Sequence, residues 1–213
     1  MEREGAIQRL FQEAAAEDRC IKVAAPMVRF SKLPFRHVVR SWGADLVFTP
    51  MIMANSFTAS AKARDVEFTT NPYDRPLVVQ FAARSDKEFG DAAELVVGAA
   101  DGVDLNCGCP QKWAMQEGVG AALLKRPELV RAMVRQAAER SRLPVSVKIR
   151  IAADIRETVE LVRVAEQVGA AWVTVHGRTA DARPSDPVDF DKVRIVKEAA
   201  RIPVVANGGV HRP

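Results

Sequence analysis

Short apolar runs alternate with amphipathic stretches along almost the whole chain. Residues 21–25 (IKVAA), 45–49 (DLVFT), 77–81 (LVVQF), 102–105 (GVDL), 144–150 (PVSVKIR), 171–175 (AWVTV) and 202–206 (IPVVA) each read as a buried strand. Between them the apolar spacing lengthens to the helical period. Leu129, Val130, Met133, Val134 and Ala137 share one face of a helix that Pro127 can open at its first position. Ile155, Val159, Val162 and Ala165 form a second stripe behind the cap-like pair Asp154 and Glu157. Ser85 and Glu88 resemble a capping box for a helix running towards Gly98. Further helices are expected over 32–42, with Pro34 in the first turn, and over 189–200, while Pro50 begins a longer excursion that ends only at Leu77.

Strand-like runs separated mainly by helices predict a parallel α/β architecture, because antiparallel hairpins ordinarily need much shorter connections. Polar residues collect just beyond the predicted strand ends: Gln80, Asn106, Cys109, Lys148, Arg150, His176, Arg178 and Asn207. A TIM barrel, the (β/α)8 fold, gathers all such ends on one rim, whereas a doubly wound sheet concentrates its ligand site near a strand-order reversal. The pattern therefore favours the barrel. No eighth strand is recognisable before Pro213, so the expectation is a barrel truncated after strand seven, occupying residues 20–213 behind an N-terminal helical extension over 1–19.

Composition adjusts this picture only slightly. Apolar residues at 48% and charged residues at 27% are those of a globular chain, and 213 residues lie near the lower edge for a complete barrel. The formal charge of +4 is compatible with a polyanionic partner and with many metabolic enzymes alike. Cys20, Cys107 and Cys109 make no disulfide scaffold and fit a reducing compartment, and no second ligand pair accompanies the Cys-x-Cys spacing, so no metal is expected. The N-terminus is a poor secretory signal, and no run approaches the roughly 20 apolar residues that span a bilayer. A soluble, cytoplasmic protein without membrane association is the expectation.

Chemistry concentrates in four places. In VDLNCGCP (residues 103–110), glycine permits a tight turn and proline restrains its exit, so a thiol there could act as a general acid or be a buried structural cysteine. Lys148 and Arg150 share one side of a strand, where they could neutralise a ligand or simply end the strand in solvent. His176 precedes Gly177-Arg178, and Gln80 offers both a donor and an acceptor; each could contact a ligand or satisfy a buried hydrogen bond. Asn207-Gly208-Gly209 could present backbone amides to a phosphate or be a flexible turn. It is neither a Walker motif nor a dinucleotide fingerprint, which argues against ATP-dependent chemistry.

The ordered stretches APMVRFSKLPFR, ADLVFTPMI, KARDVEFTTN, LVVQFAA, GVDLNCGCPQKWAMQEGVGAALL, VSVKIRI, WVTVHGRTA and IPVVANGGV resemble the tRNA-dihydrouridine synthase family, particularly its dihydrouridine synthase 4-like group. The resemblance implies an FMN-bearing TIM barrel, reduced by NADPH or sometimes NADH, followed in family members by a helical tRNA-binding domain. It places FMN against Pro26, Met27, Val28, Gln80, Lys148, His176, Asn207, Gly208 and Gly209. The mechanism it implies would have hydride pass from the reduced flavin to uracil C6, with Cys109 as the implied proton donor at C5. Asn106, Lys148 and Arg150 are the implied uracil contacts, and the implied substrate is a tRNA D-loop at positions 20a and 20b. The usual family turn is closer to Asn-Gly-Asp than to Asn207-Gly208-Gly209. Two other readings stay open: a flavin reductase of a free pyrimidine, and a catalytically inactive RNA-binding or assembly fragment. The oligomeric state is not assigned.

Overall fold

The structure, a computed structural model, describes residues 5–210. In chain order its elements are α1 (Ala6–Ala16), β1 (Val23–Ala24), α2 (Leu33–Ser41), β2 (Leu46–Phe48), β3 (Ile52–Met53), α3 (Ala54–Ala59), α4 (Ala61–Glu67), β4 (Leu77–Ala82), α5 (Asp86–Leu95) and β5 (Gly102–Cys107). Then follow α6 (Lys112–Gln116), a 3-10 helix (Gly120–Lys125), α7 (Pro127–Ser141), β6 (Val145–Arg150), α8 (Ile155–Gln167), β7 (Trp172–His176), α9 (Phe190–Ala199) and β8 (Val204–Asn207). All strand pairs are parallel, in the order β1-β2-β4-β5-β6-β7-β8, with β3 pairing β4 off this path.

Apart from the short β3, strands that follow one another in sequence also neighbour in the sheet, which is the TIM-barrel plan expected from the sequence. The sheet curls on itself: Leu46 and Phe48 of β2 share a buried cluster with Trp172 of β7, four steps away along the strand order. Alternation along each strand sorts the side chains. Val79, Phe81, Val103, Leu105, Cys107, Val147, Ile149, Val173 and Val175 join the main apolar core, where Phe89 of α5, Val130, Met133 and Val134 of α7 and Leu161 of α8 meet them. The intervening residues, among them Gln80, Asp104, Ser146, Lys148, Thr174 and His176, are polar and lie on the opposite face, inside the barrel.

Helix α1 closes the floor of the barrel. Ile7, 1% exposed, packs with Leu10 and Phe11 against Leu46, Val78 and Trp172, and the Phe11 and Trp172 rings stand 5.9 Å apart. Gly102 opens β5 where a Cβ would come within 3.0 Å of Ile7 Cδ1 and 3.1 Å of the Pro144 carbonyl, so the close approach of the helix depends on that glycine.

Several local expectations are refined. The first strand pairs over two residues only, Val23 with Leu46 and Ala24 with Val47. The excursion after Pro50 holds β3, α3 and α4. Ser85 Oγ accepts from Glu88 N at 3.2 Å as a cap should, but Glu88 Oε2 accepts from Arg84 N at 2.9 Å rather than completing a capping box. Gln80, Asn106, Lys148, Arg150, His176 and Asn207 sit within their strands rather than just beyond them, so the polar set reaches down into the barrel. No helix among the described residues is long and apolar enough to cross a membrane.

Candidate active site

Strand register brings the polar residues into rows. Gln80 pairs with Asp104 and Asp104 with Ser146; one level higher Asn106 pairs with Lys148, and near the rim Arg150 pairs with His176 and His176 with Asn207. Gln80 Nε2 donates to Asp104 Oδ2 at 2.7 Å, and Ser146 Oγ donates to Asp104 Oδ1 at 2.6 Å. Asn106 Nδ2 donates to Gln80 Oε1 at 2.8 Å. Asn106 Oδ1 accepts from the backbone N–H of Gly108 at 3.2 Å and of Cys109 at 2.9 Å.

Cys109 is held on both sides of its peptide. Its carbonyl accepts from Ala121 N at 2.9 Å, and Gly120, at φ +64°, passes so close that a Cβ would fall 2.6 Å from the Cys109 carbonyl oxygen. Arg150 Nε donates to the Gly108 carbonyl at 2.9 Å and its Nη1 to the Thr179 carbonyl at 2.9 Å, so this guanidinium ties the turn to the loop after β7. The partly buried thiol residue packs beside Ala82, Ala114 and Val119. Cys107, by contrast, is buried in the helix-facing core, where desolvation and then the Asp104 charge push its thiol well above the usual range. Its side chain lies on the helix-facing side of β5, away from the mouth.

Burial sets the protonation pattern at the mouth. Asp104 is pushed up to about 6 by desolvation, against the opposing hydrogen bonds from Ser146 and Gln80 and the Lys148 charge. Lys148 is lowered to about 8, first by desolvation, with Arg150 acting the same way and Asp104 and Cys109 opposing. His176 is lowered to about 4 by desolvation and then by Lys148, Arg150 and Arg178. At neutral pH the imidazole is therefore uncharged and faces a cationic lysine and arginine. The Lys148 ammonium enters none of the side-chain hydrogen bonds or ion pairs of the described residues, its interactions with Asp104 and Arg150 being longer-range, and Thr174 Oγ1 and His176 Nδ1 are buried without partners. Gly208, at φ +95°, lies against the imidazole: a Cβ there would stand 2.7 Å from His176 Cε1.

The structure thus brings Gln80, Asn106, Cys109, Lys148, Arg150, His176, Asn207 and Gly208 around one mouth. Pro26, Met27 and Val28 form the turn after β1, with Met27 N donating to Ser31 Oγ at 2.9 Å, and enter none of those contacts. Val28 instead lines an adjoining depression of about 380 Å³ with Arg29, Lys32, Met51 and Met53, which includes none of the residues of the hydrogen-bonded network. Gly209 is directed at Val188, 2.9 Å from where its Cβ would be. Asp104, Ser146 and Thr174 are the polar interior residues that motif reading passed over. Their signal was the alternation of polar positions at 104 and 106, at 146, 148 and 150, and at 174 and 176.

Comparison with known proteins adds a lineage. The family described as dihydrouridine synthase (Dus) matches residues 23–213. A tRNA-dihydrouridine(20a/20b) synthase (NAD(P)+)-like protein of Homo sapiens is 53% identical over 193 residues, covering 89% of this chain and 61% of that protein. The tRNA-dihydrouridine(20a/20b) synthase of Schizosaccharomyces pombe is 49% identical over 196 residues, covering 90% of this chain and 59% of that protein. The chain thus spans about three fifths of the length of these curated relatives. Among solved structures, 2,3-dimethylmalate lyase superposes with a TM-score of 0.60 at 15% identity, over 99% of this chain and 74% of that one, a likeness of fold alone.

Proposed function

The chain belongs to the dihydrouridine synthase family, and from that membership we propose that it reduces uridine in the D-loop of tRNA to 5,6-dihydrouridine, at positions 20a and 20b as in the names of its relatives. The observation that carries this reading is the convergence of Asn106, Cys109, Lys148, Arg150 and His176 at one barrel mouth. A cationic, partly dry mouth with unused polar atoms suits a phosphorylated, carbonyl-rich ring system such as FMN. The Lys148 ammonium outside the side-chain hydrogen bonds of the described residues, the unpaired Thr174 Oγ1 and His176 Nδ1, and the side-chain-free approach of Gly208 to the imidazole all support that fit. When bound, FMN supplies the hydride, drawn from NADPH or NADH.

The chain's own residues divide the remaining work. By the family resemblance, Gln80, Lys148, His176, Asn207 and Gly208 would hold the flavin from within the mouth, and Gly209 and the Pro26-Met27-Val28 loop, which stand outside its contacts, would reach it from beside. A neutral His176 can accept or donate a hydrogen bond without adding charge, while Lys148 would supply a positive charge to a bound ring that takes on negative charge. Asn106, Lys148 and Arg150 orient the uracil edge and stabilise negative charge developing on its carbonyls. Cys109 delivers a proton to C5 from its thiol, a general-acid step that requires the loop to be held within hydrogen-bond reach of the base. The target uridine must leave its stack to enter the mouth, which a loop nucleotide does at lower cost than a paired one.

The test supplies the protein with FMN, NADPH and an unmodified tRNA transcript, records the flavin spectrum of the protein, and follows dihydrouridine by nucleoside mass analysis. Dihydrouridine confined to the D-loop is the expected product. Reduction of free uracil or orotate with no change in the tRNA would overturn the assignment of an RNA substrate.

A further inference from the structure

The hydrogen bonds inside the mouth have a direction that can be derived from one end. Backbone N–H groups only donate. The atom of Asn106 facing Gly108 N and Cys109 N, at 3.2 and 2.9 Å, must therefore be its oxygen. That turns Nδ2 towards Gln80, whose Oε1 accepts it at 2.8 Å. Gln80 is left with a donor, Nε2, pointing at residue 104, and only an acceptor can stand there. Asp104 meets the requirement at 2.7 Å, and its second oxygen accepts from Ser146 Oγ at 2.6 Å. Neither amide can flip without setting donor against donor or acceptor against acceptor.

We propose that Asp104 is a positioning residue for Cys109: its carboxylate fixes the orientation of Gln80, through Gln80 that of Asn106, and so holds the backbone of the thiol-bearing turn. Asp104, Gln80 and Asn106 are at most 7% exposed, so water does not readily substitute for a missing partner. With Asp104 present, a flipped Gln80 would set its oxygen against a carboxylate. Without an acceptor at 104 that bias is gone and Nε2 is unpaired in the native orientation. The flipped arrangement, in which Asn106 turns as well and the two backbone amides lose their acceptor, then becomes more accessible. The functional meaning of this device rests on the proposed role of Cys109, but the geometric claim does not.

Two substitutions separate orientation from bulk. Asp104→Asn keeps an acceptor for Gln80, and its amide nitrogen can donate to Ser146 Oγ once that hydroxyl rotates. Asp104→Leu removes the acceptor. Residue-resolved amide hydrogen exchange is measured on the 213-residue chain without flavin or RNA, together with iodoacetamide labelling of Cys109. Exposed Cys20 serves as the internal rate standard and buried Cys107 as the reporter of global unfolding. Asp104→Leu is expected to accelerate exchange at Gly108 and Cys109 by about tenfold and to speed labelling of Cys109, while Asp104→Asn matches the parent protein. Equal protection in the two variants, with Cys107 unlabelled in both, overturns the proposal. Where labelling of Cys107 shows that Asp104→Leu has lost the fold, Gln80→Met breaks the same chain one link later and must release the same two amides; retained protection there also overturns it. Neither readout needs turnover, so failure of the uridine assay and failure of this proposal are distinguishable.

Discussion

The floor and the mouth of the barrel are made from the same strands with opposite chemistry. Trp172 opens β7 in an apolar cluster with Leu46, Val78 and the α1 residues Ile7, Leu10 and Phe11, whereas His176 ends that strand among Lys148, Arg150 and Asn207. At about 3.3 Å of rise per residue, roughly 13 Å separates them. At the floor, burial is favourable for the apolar surface of every side chain involved, and the one polar atom among them, Trp172 Nε1, is buried without a partner. At the mouth, burial works against ionisation, raising Asp104 and lowering Lys148 and His176. The contrast teaches that the apolar end can stabilise the fold while the polar end carries groups that do not favour folding.

Three changes would break or sharpen this contrast. The largest effect is expected for Cys109→Ala, which should lower dihydrouridine formation by about 10²- to 10⁴-fold while leaving flavin reduction by NADPH and the unfolding midpoint near those of the parent. Product formation within a few-fold of the parent, at matched protein and tRNA, would remove Cys109 from the acid role. Trp172→Ala should do the reverse, costing about 3–5 kcal/mol in chemical denaturation and leaving labelling of Cys109 in the native state unchanged. A loss below about 1 kcal/mol would show that the floor is not a principal source of stability. The smallest effect concerns Lys148. Its folded pKa, about 8, lies below the unfolded value of 10.5, so the folded protein gives up this proton first. The resulting penalty is full below pH 8 and fades as pH rises towards 10.5, so stability should rise with pH across that window. Lys148→Met should remove that rise; an identical alkaline profile in parent and variant would contradict the lowered lysine.

The elements that the sequence made legible are those with an unbroken period. The stripes of α7 and α8 and the apolar runs of β4, β5, β6 and β7 each bury a continuous face, so their hydrophobic pattern is nearly a record of their environment, while β8 keeps the apolar run although it is only partly buried. Residues 50–76 mix apolar and polar positions without a sustained period, and β3, α3 and α4 there are stabilised by tertiary contacts such as Phe57 against Phe68 and Phe81. The site was legible where side-chain chemistry is unusual for a strand, as at Lys148 and His176. Asp104 and Ser146 were not singled out, because their part depends on cross-strand register, which places one carboxylate between a glutamine and a serine from two other strands. The packing of Gly208 on the imidazole likewise joins two motifs far apart in sequence through the pairing of β7 with β8, which neither motif shows by itself.

The hydrogen bond from Ala121 N to the Cys109 carbonyl joins the beginning and end of the excursion that contains α6. Fastened at its neck, residues 110–120 form a bracket that buries Ala114 and Val119 against Ala82 and leaves Trp113 and Met115 exposed on its outer side. Evolution can therefore remodel the bracket's outer surface while the thiol stays where it is, provided that position 120 remains too small to push against the carbonyl beneath it.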